Sequence, residues 1–166
     1  PAHTPEMVVN RLNAALRERY ASFLLRSLGK AELALPHAEQ ATDLDSHSAD
    51  AWLTLGLIRY KLGDLENGDA AMDRAMKCGK AESLCLLRKA IARYHSARQE
   101  PYSKRAPTHL KEAEALIERS MRLTFPRDFF YQKNLREADK YLALIRSLVL
   151  MINRRQVSAG NAPKGA

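Results

Sequence analysis

The chain has 166 residues, 46% of them hydrophobic, and a net charge of +8 at pH 7. This is enough apolar material for a core in one compact domain or a short array of repeats. No run approaches the roughly 18–20 uninterrupted apolar residues of a membrane span, the longest strongly apolar patch, Leu148–Ile152, being bounded by Arg146 and Arg154.

Apolar residues recur at helical spacing almost throughout, which predicts an all-α fold. The first helix is expected at about 5–28, with Met7, Val8, Leu12, Ala15, Leu16, Phe23 and Leu24 in step and Gly29 as a left-handed cap. A second is expected at about 31–44, with Leu33, Ala34, Ala38, Ala41 and Leu44 inward. Pro36 predicts a late start or a kink there, because it removes a backbone donor. Ser48 or Asp50 can cap a third helix, about 49–62. Gly63-Asp64 turns the chain into a fourth, about 64–78, closed by Gly79. A fifth follows at about 80–97. The stretch 99–108 holds two prolines and predicts an exposed loop, with Thr108 as the cap of a sixth helix at about 108–124. Phe125-Pro126-Arg127-Asp128 ends that helix. A long last helix, about 128–155, carries Phe130, Leu135, Ala138, Leu142, Ile145, Leu148, Val149 and Ile152 as a stripe. The tail 158–166 has nothing to bury and is expected to be flexible.

Chemistry-bearing motifs are scarce. Cys78 and Cys85 have no metal spacing and fit small core thiols; His3, His37, His47, His95 and His109 are scattered. There is no glycine-rich phosphate loop, Gly-x-Ser-x-Gly elbow or His-Glu-x-x-His pair. Glu112, Glu114 and Glu118 fit a solvated helix face. The expectation is therefore a protein with no catalytic role, metal or cofactor. The opening PAHTPEMVVNRL lacks the apolar core of a secretory signal, which favours a cytoplasmic location.

An internal echo organises the chain. Gly29 recurs as Gly63, Glu32 as Glu66 and Ala41 as Ala75, each 34 residues on, and Leu53, Arg59 and Tyr60 recur as Leu87, Arg93 and Tyr94. A period of this length predicts stacked helical hairpins, since one hairpin cannot bury its own apolar face. At Trp52, Leu55, Gly56, Tyr60, Gly63 and Ala75 the central segment resembles a tetratricopeptide repeat. The resemblance implies an α-solenoid of about three helical hairpins plus a long C-terminal capping helix. It implies one domain over 1–157, with repeats at about 15–48, 49–82 and 83–125. In that family the aromatic fills the space between the helices and small residues allow their close approach. Gly68 stands where the family usually has Ala. The first copy has Glu18 and Ser22 where Trp52 and Gly56 sit; the third has Leu86 and Ala90 and carries an insertion of about 11 residues. A non-repeat helical bundle is the alternative.

The resemblance also implies a groove lined by the first helix of each hairpin. Its candidates are Arg19, Phe23 and Arg26; Leu53, Leu57, Tyr60 and Lys61; and Leu87, Arg88, Ile91, Tyr94 and His95. Cationic tips over apolar and aromatic floors suit a peptide or partner helix with apolar anchors and acidic groups. Packing of Leu53, Leu57, Leu87 and Ile91 against the last helix, folded into the groove, is the alternative. A subtype of the family clamps chaperone tails through two carboxylates, but Phe23, Thr54 and Leu84 stand where that clamp wants polar or basic side chains, and only Arg19 and Arg88 match. The leading expectation is thus a protein-interaction adaptor.

Charge suggests an alternative. Residues 1–100 carry 14 Lys/Arg against 13 Asp/Glu, and residues 101–166 carry 13 against 6. Lys104, Arg105, Lys111, Arg119, Arg122, Arg127, Lys133, Arg136 and Lys140 are the candidate contacts for a polyanion, either nucleic acid or an anionic membrane surface. The stripe of the last helix is a candidate homodimer contact.

Overall fold

A computed structural model describes residues 4–124 and 131–160. Among these residues the chain is entirely helical: α1 (Pro5–Leu28), α2 (Ala31–Leu44), α3 (Ala49–Lys61), α4 (Leu65–Lys77), α5 (Glu82–Gln99), α6 (Ala106–Leu123) and α7 (Tyr131–Gly160). Two compact units are distinct, one ending at Cys85 and one beginning at Leu86, so the division falls inside α5.

Local chemistry sets the helix ends in the first unit. The Met7 N–H donates to Thr4 Oγ1 at the start of α1. Ser48 Oγ accepts from the Ala51 N–H at 3.3 Å, and Asp64 Oδ1 from the Asn67 N–H at 3.1 Å. These bonds satisfy donors that have no intrahelical partner. Gly29 ends α1 at φ 66°, and its equivalent Gly63 turns the chain at φ 84°, conformations that cost glycine little. The expected late start of α2 is not observed. The helix begins at Ala31, and Pro36 lies on its exposed face, where water can solvate the carbonyl that loses its partner.

The first unit packs α1 on α2, α2 on α3, and α3 on both α4 and α1. Its first hairpin buries mainly alanine: Ala14, Ala21, Ala31, Ala34, Ala38 and Ala41, with Leu24 the large exception. Half-buried Trp52 packs against the clusters on either side of α3 and donates its indole N–H to the Ser46 carbonyl at 2.9 Å. Glu18, in the place equivalent to Trp52, accepts from the buried Thr54 hydroxyl at 2.7 Å and ties α1 to α3. Cys85 is a core thiol, whereas Cys78 is only half-buried at the end of α4.

The second unit gathers Leu87, Ala90 and Tyr94 of α5, Leu110, Ala113 and Ile117 of α6, and Ala138, Ile145 and Ile152 of α7. Arg93 and Glu112 join α5 to α6 at 2.8 Å. Thr108 is not a cap. The sixth helix starts earlier, at Ala106, because Pro107 fits a first turn whose N–H groups need no helical partner. The last helix extends to Gly160, past its expected end near residue 155. The expected break at 125–128, Phe130 of the stripe, and tail residues 161–166 lie outside the described residues.

The α3–α4 hairpin depends on close approach. A Cβ at Gly56 would lie 2.9 Å from Met72 Cε, and one at Gly68 would lie 2.4 Å from both Cδ1 and Cε1 of Tyr60. The flat Tyr60 ring therefore occupies the space that alanine would need at Gly68. Gly68→Ala is expected to destabilise the chain by about 1–3 kcal/mol through overpacking, despite alanine's helix propensity. Urea denaturation measures this, and the loss is expected to vanish in a Tyr60→Ala background.

Candidate functional site

Helix α1 distributes its side chains against the usual order. Ala14, Ala21 and Leu24 are buried, while Val8, Val9, Leu12, Leu16, Tyr20 and Phe23 are each 47–66% exposed. Positions 9, 12, 16, 20 and 23 follow one another by three or four residues and form a continuous stripe. Scattered exposed apolar residues are ordinary, but a contiguous stripe marks a surface that meets something. Arg19 and Arg26 share the Phe23 side of the helix at the same spacing and are exposed. Among the described residues neither makes an ion pair. The neighbouring carboxylate of Glu18 is committed to Thr54. The stripe is thus apolar along its middle and cationic along one edge.

The α3 candidates divide. Leu53 is buried with Met72, Ala75 and Cys85, so it stabilises the unit and lines no open face. Tyr60 is half-buried over Gly68, with its hydroxyl donating to Asp69 Oδ1 at 2.5 Å. Leu57 is half-buried and Lys61 exposed. Leu57 stands one turn beyond Thr54, the residue bonded to α1.

In the second unit α7 engages the α5 candidates. Leu87 is fully buried and Tyr94 is 5% exposed, so burial corrects the expectation that they face a partner. Ile91 is partly buried against the same cluster. Arg88 spends its guanidinium on Glu137 at 2.7 Å. The Tyr94 and Tyr141 rings meet edge to face at 5.5 Å, and His95 Nε2 lies 3.3 Å from the Tyr141 hydroxyl. The α7 stripe is itself used here. Ala138, Ile145 and Ile152 are buried, and Leu142, Leu148 and Val149 pack on the same core, which takes them away from a second copy of the chain. Sequence spacing identified both stripes but could not assign which one the fold would consume.

Among the described residues no group of three or more His, Cys, Asp or Glu could hold a metal ion, and no helix is long and apolar enough to cross a membrane.

The chain has the fold of tetratricopeptide-repeat domains. It is similar to the first such domain of Spaghetti (RPAP3), solved bound to the HSP90 peptide SRMEEVD, with a TM-score of 0.60, 17% identity, and 84% of this chain and 95% of that one covered. It is similar to the first such domain of human RPAP3, with a TM-score of 0.61, 17% identity, and 86% and 96% covered. It is also similar to SycD, the type III secretion translocator chaperone of Yersinia enterocolitica, with a TM-score of 0.59, 19% identity, and 80% and 82% covered. No family model matches the chain, and no curated protein matches it significantly.

Burial, followed by the Glu137 carboxylate, raises the Tyr141 phenol above its usual 10.0, with Arg88 opposing. The folded state therefore holds this proton more tightly than the unfolded state. The resulting stability is complete below about pH 10 and is lost as pH rises from there through the folded value. Ultraviolet titration of the folded chain is expected to show one late-ionising tyrosine that disappears in Tyr141→Phe.

Proposed function

We propose that this chain is a non-enzymatic protein-interaction adaptor whose first unit receives an amphipathic peptide or partner helix along α1. The observation carrying this reading is the exposed α1 stripe, bordered by Arg19 and Arg26, neither of which makes an ion pair among the described residues. A partner segment with apolar side chains at helical spacing would cover Leu12, Leu16, Tyr20 and Phe23, while its acidic flank would meet the two guanidiniums. Burial of the aromatic and leucine anchors would supply most of the affinity. The exposed charge pairs would contribute about 0–1 kcal/mol each and would favour acidic partners. Leu57 and Lys61 of α3 are the candidates for extending the face.

The RPAP3 domain held with an HSP90 peptide supports peptide recognition as the use of such a fold. The residues at the clamp positions implied by the family resemblance favour a different partner here. Phe23 offers a ring, the Thr54 hydroxyl is spent on Glu18, and Leu84 packs in the core of the first unit. A tail recognised through two carboxylates would find few of its donors, whereas an amphipathic segment would find apolar anchors.

Polyanion binding has weaker support. It is carried only by the charge excess of the second unit, and the arginines paired there, Arg88 with Glu137, Arg93 with Glu112 and Arg146 with Glu114, are not among its candidate contacts.

Fluorescence anisotropy with a labelled helical peptide, leucines on one face and glutamates beside them, tests the reading. Leu16→Ser/Phe23→Ser is expected to weaken binding by about tenfold or more. Arg19→Glu/Arg26→Glu is expected to weaken it less and to reduce its salt sensitivity. Parent-like binding by the Leu16→Ser/Phe23→Ser chain would contradict the assignment.

A further inference from the structure

The repeat period fails in the segment between α5 and α6, and that segment brings Tyr102 to the end of α7. The guanidinium carbon of Arg155 lies 4.2 Å from the centre of the Tyr102 ring. Beside this pair is a concavity of about 640 Å³ lined by Tyr102, Ser147, Leu150, Met151, Arg154 and Arg155. Sites that hold ligands commonly enclose roughly 300–1,000 Å³.

The lining has a definite chemical character. It contains two guanidiniums and two hydroxyls but no carboxylate. Its apolar part is open to solvent, with Leu150 58%, Tyr102 54% and Met151 45% exposed. The ring holds Arg155 in place. Among the described residues Arg155 has no hydrogen-bonded or ion-paired partner, in contrast to Arg88, Arg93 and Arg146 of the same unit. A guanidinium laid on an aromatic face keeps its N–H edge available, and that fork matches a carboxylate in bidentate geometry.

We infer that the inserted loop and the end of α7 form a second recognition site, for a peptide segment that sets a carboxylate beside an apolar side chain. The carboxylate meets Arg155, and the apolar side chain enters over Leu150 and Met151. The site lies in the second unit and is independent of the α1 face. Its chemistry favours a peptide: one guanidinium fork beside a small apolar patch matches a carboxylate and an apolar side chain carried on neighbouring residues, whereas a bilayer surface is held by many basic residues along an apolar face.

The test is a titration of the full chain, with labelled leucine, valine and methionine methyl groups, by an acetylated peptide carrying two glutamates beside a leucine and a phenylalanine. Saturable shifts of the Leu150 and Met151 methyl resonances are expected. A peptide with glutamine for glutamate is expected to bind about tenfold more weakly, and Arg155→Gln and Tyr102→Ala each to weaken the acidic peptide similarly. Equal affinity for the two peptides, parent-like binding by Arg155→Gln, or shifts confined to Leu12 and Leu16 would overturn the site. So would sedimentation with phosphatidylserine vesicles without any peptide-induced shift at Leu150 and Met151. The α1 methyls report separately, so failure here leaves the α1 reading standing.

Discussion

Close helix approach through small residues is the constraint on which the first unit depends. Its first hairpin meets across Ala14, Ala21, Ala31, Ala34, Ala38 and Ala41, and the next meets at Gly56 and Gly68, with Met72 and Tyr60 in the remaining space. Small side chains let helices approach closely and lose little rotamer entropy on burial. They also contribute little apolar area each, so every contact must be tight. The consequence is an inverted α1, with alanines inward and Val9, Leu12, Leu16, Tyr20 and Phe23 outward. The same small residues that hold the hairpin together leave the large apolar ones on the surface.

The second unit uses different chemistry. Larger side chains fill its core, and α7 closes it by engaging α5 through the Arg88–Glu137 pair and the contact between Tyr94 and Tyr141. Equivalent positions in the 34-residue period therefore have different roles. Leu53 and Leu87 both serve burial, whereas Arg19, at the same place in α1, stands in solvent. Charge divides in the same way. Residues 1–85 carry 10 Lys/Arg and 12 Asp/Glu, and residues 86–166 carry 17 and 7. The basic excess lies in the second unit, where ion pairs occupy part of it and Arg155 lies over the Tyr102 ring.

Helix positions were legible in the sequence because each element carries its own punctuation. Ser48, Asp64, Gly29 and Gly63 mark ends by local chemistry alone, and α3 and α4 fall within a residue of their expected bounds. Thr108 misled because Pro107 competes with it as a starting signal. Burial was harder to read. Periodicity shows which residues share a face, but neighbours distant in sequence decide which face is covered, so the leucines of α1 and those of α7 look alike and end up oppositely placed. The role of Gly68 likewise needed the Tyr60 ring, which reaches it across a hairpin. The approach of Tyr102 to Arg155 had no signal at all, because no spacing rule links a loop to a helix end some fifty residues later.

Solvent exposure of the α1 stripe is the central claim, and equilibrium urea denaturation of a Leu12→Ser/Leu16→Ser/Phe23→Ser chain tests it most directly. Removing three exposed apolar side chains from a surface is expected to leave the unfolding free energy within about 0.5 kcal/mol of the parent for each site. A loss of several kcal/mol, of the size that truncated core leucines and phenylalanines produce, would place these residues in the interior and contradict the account.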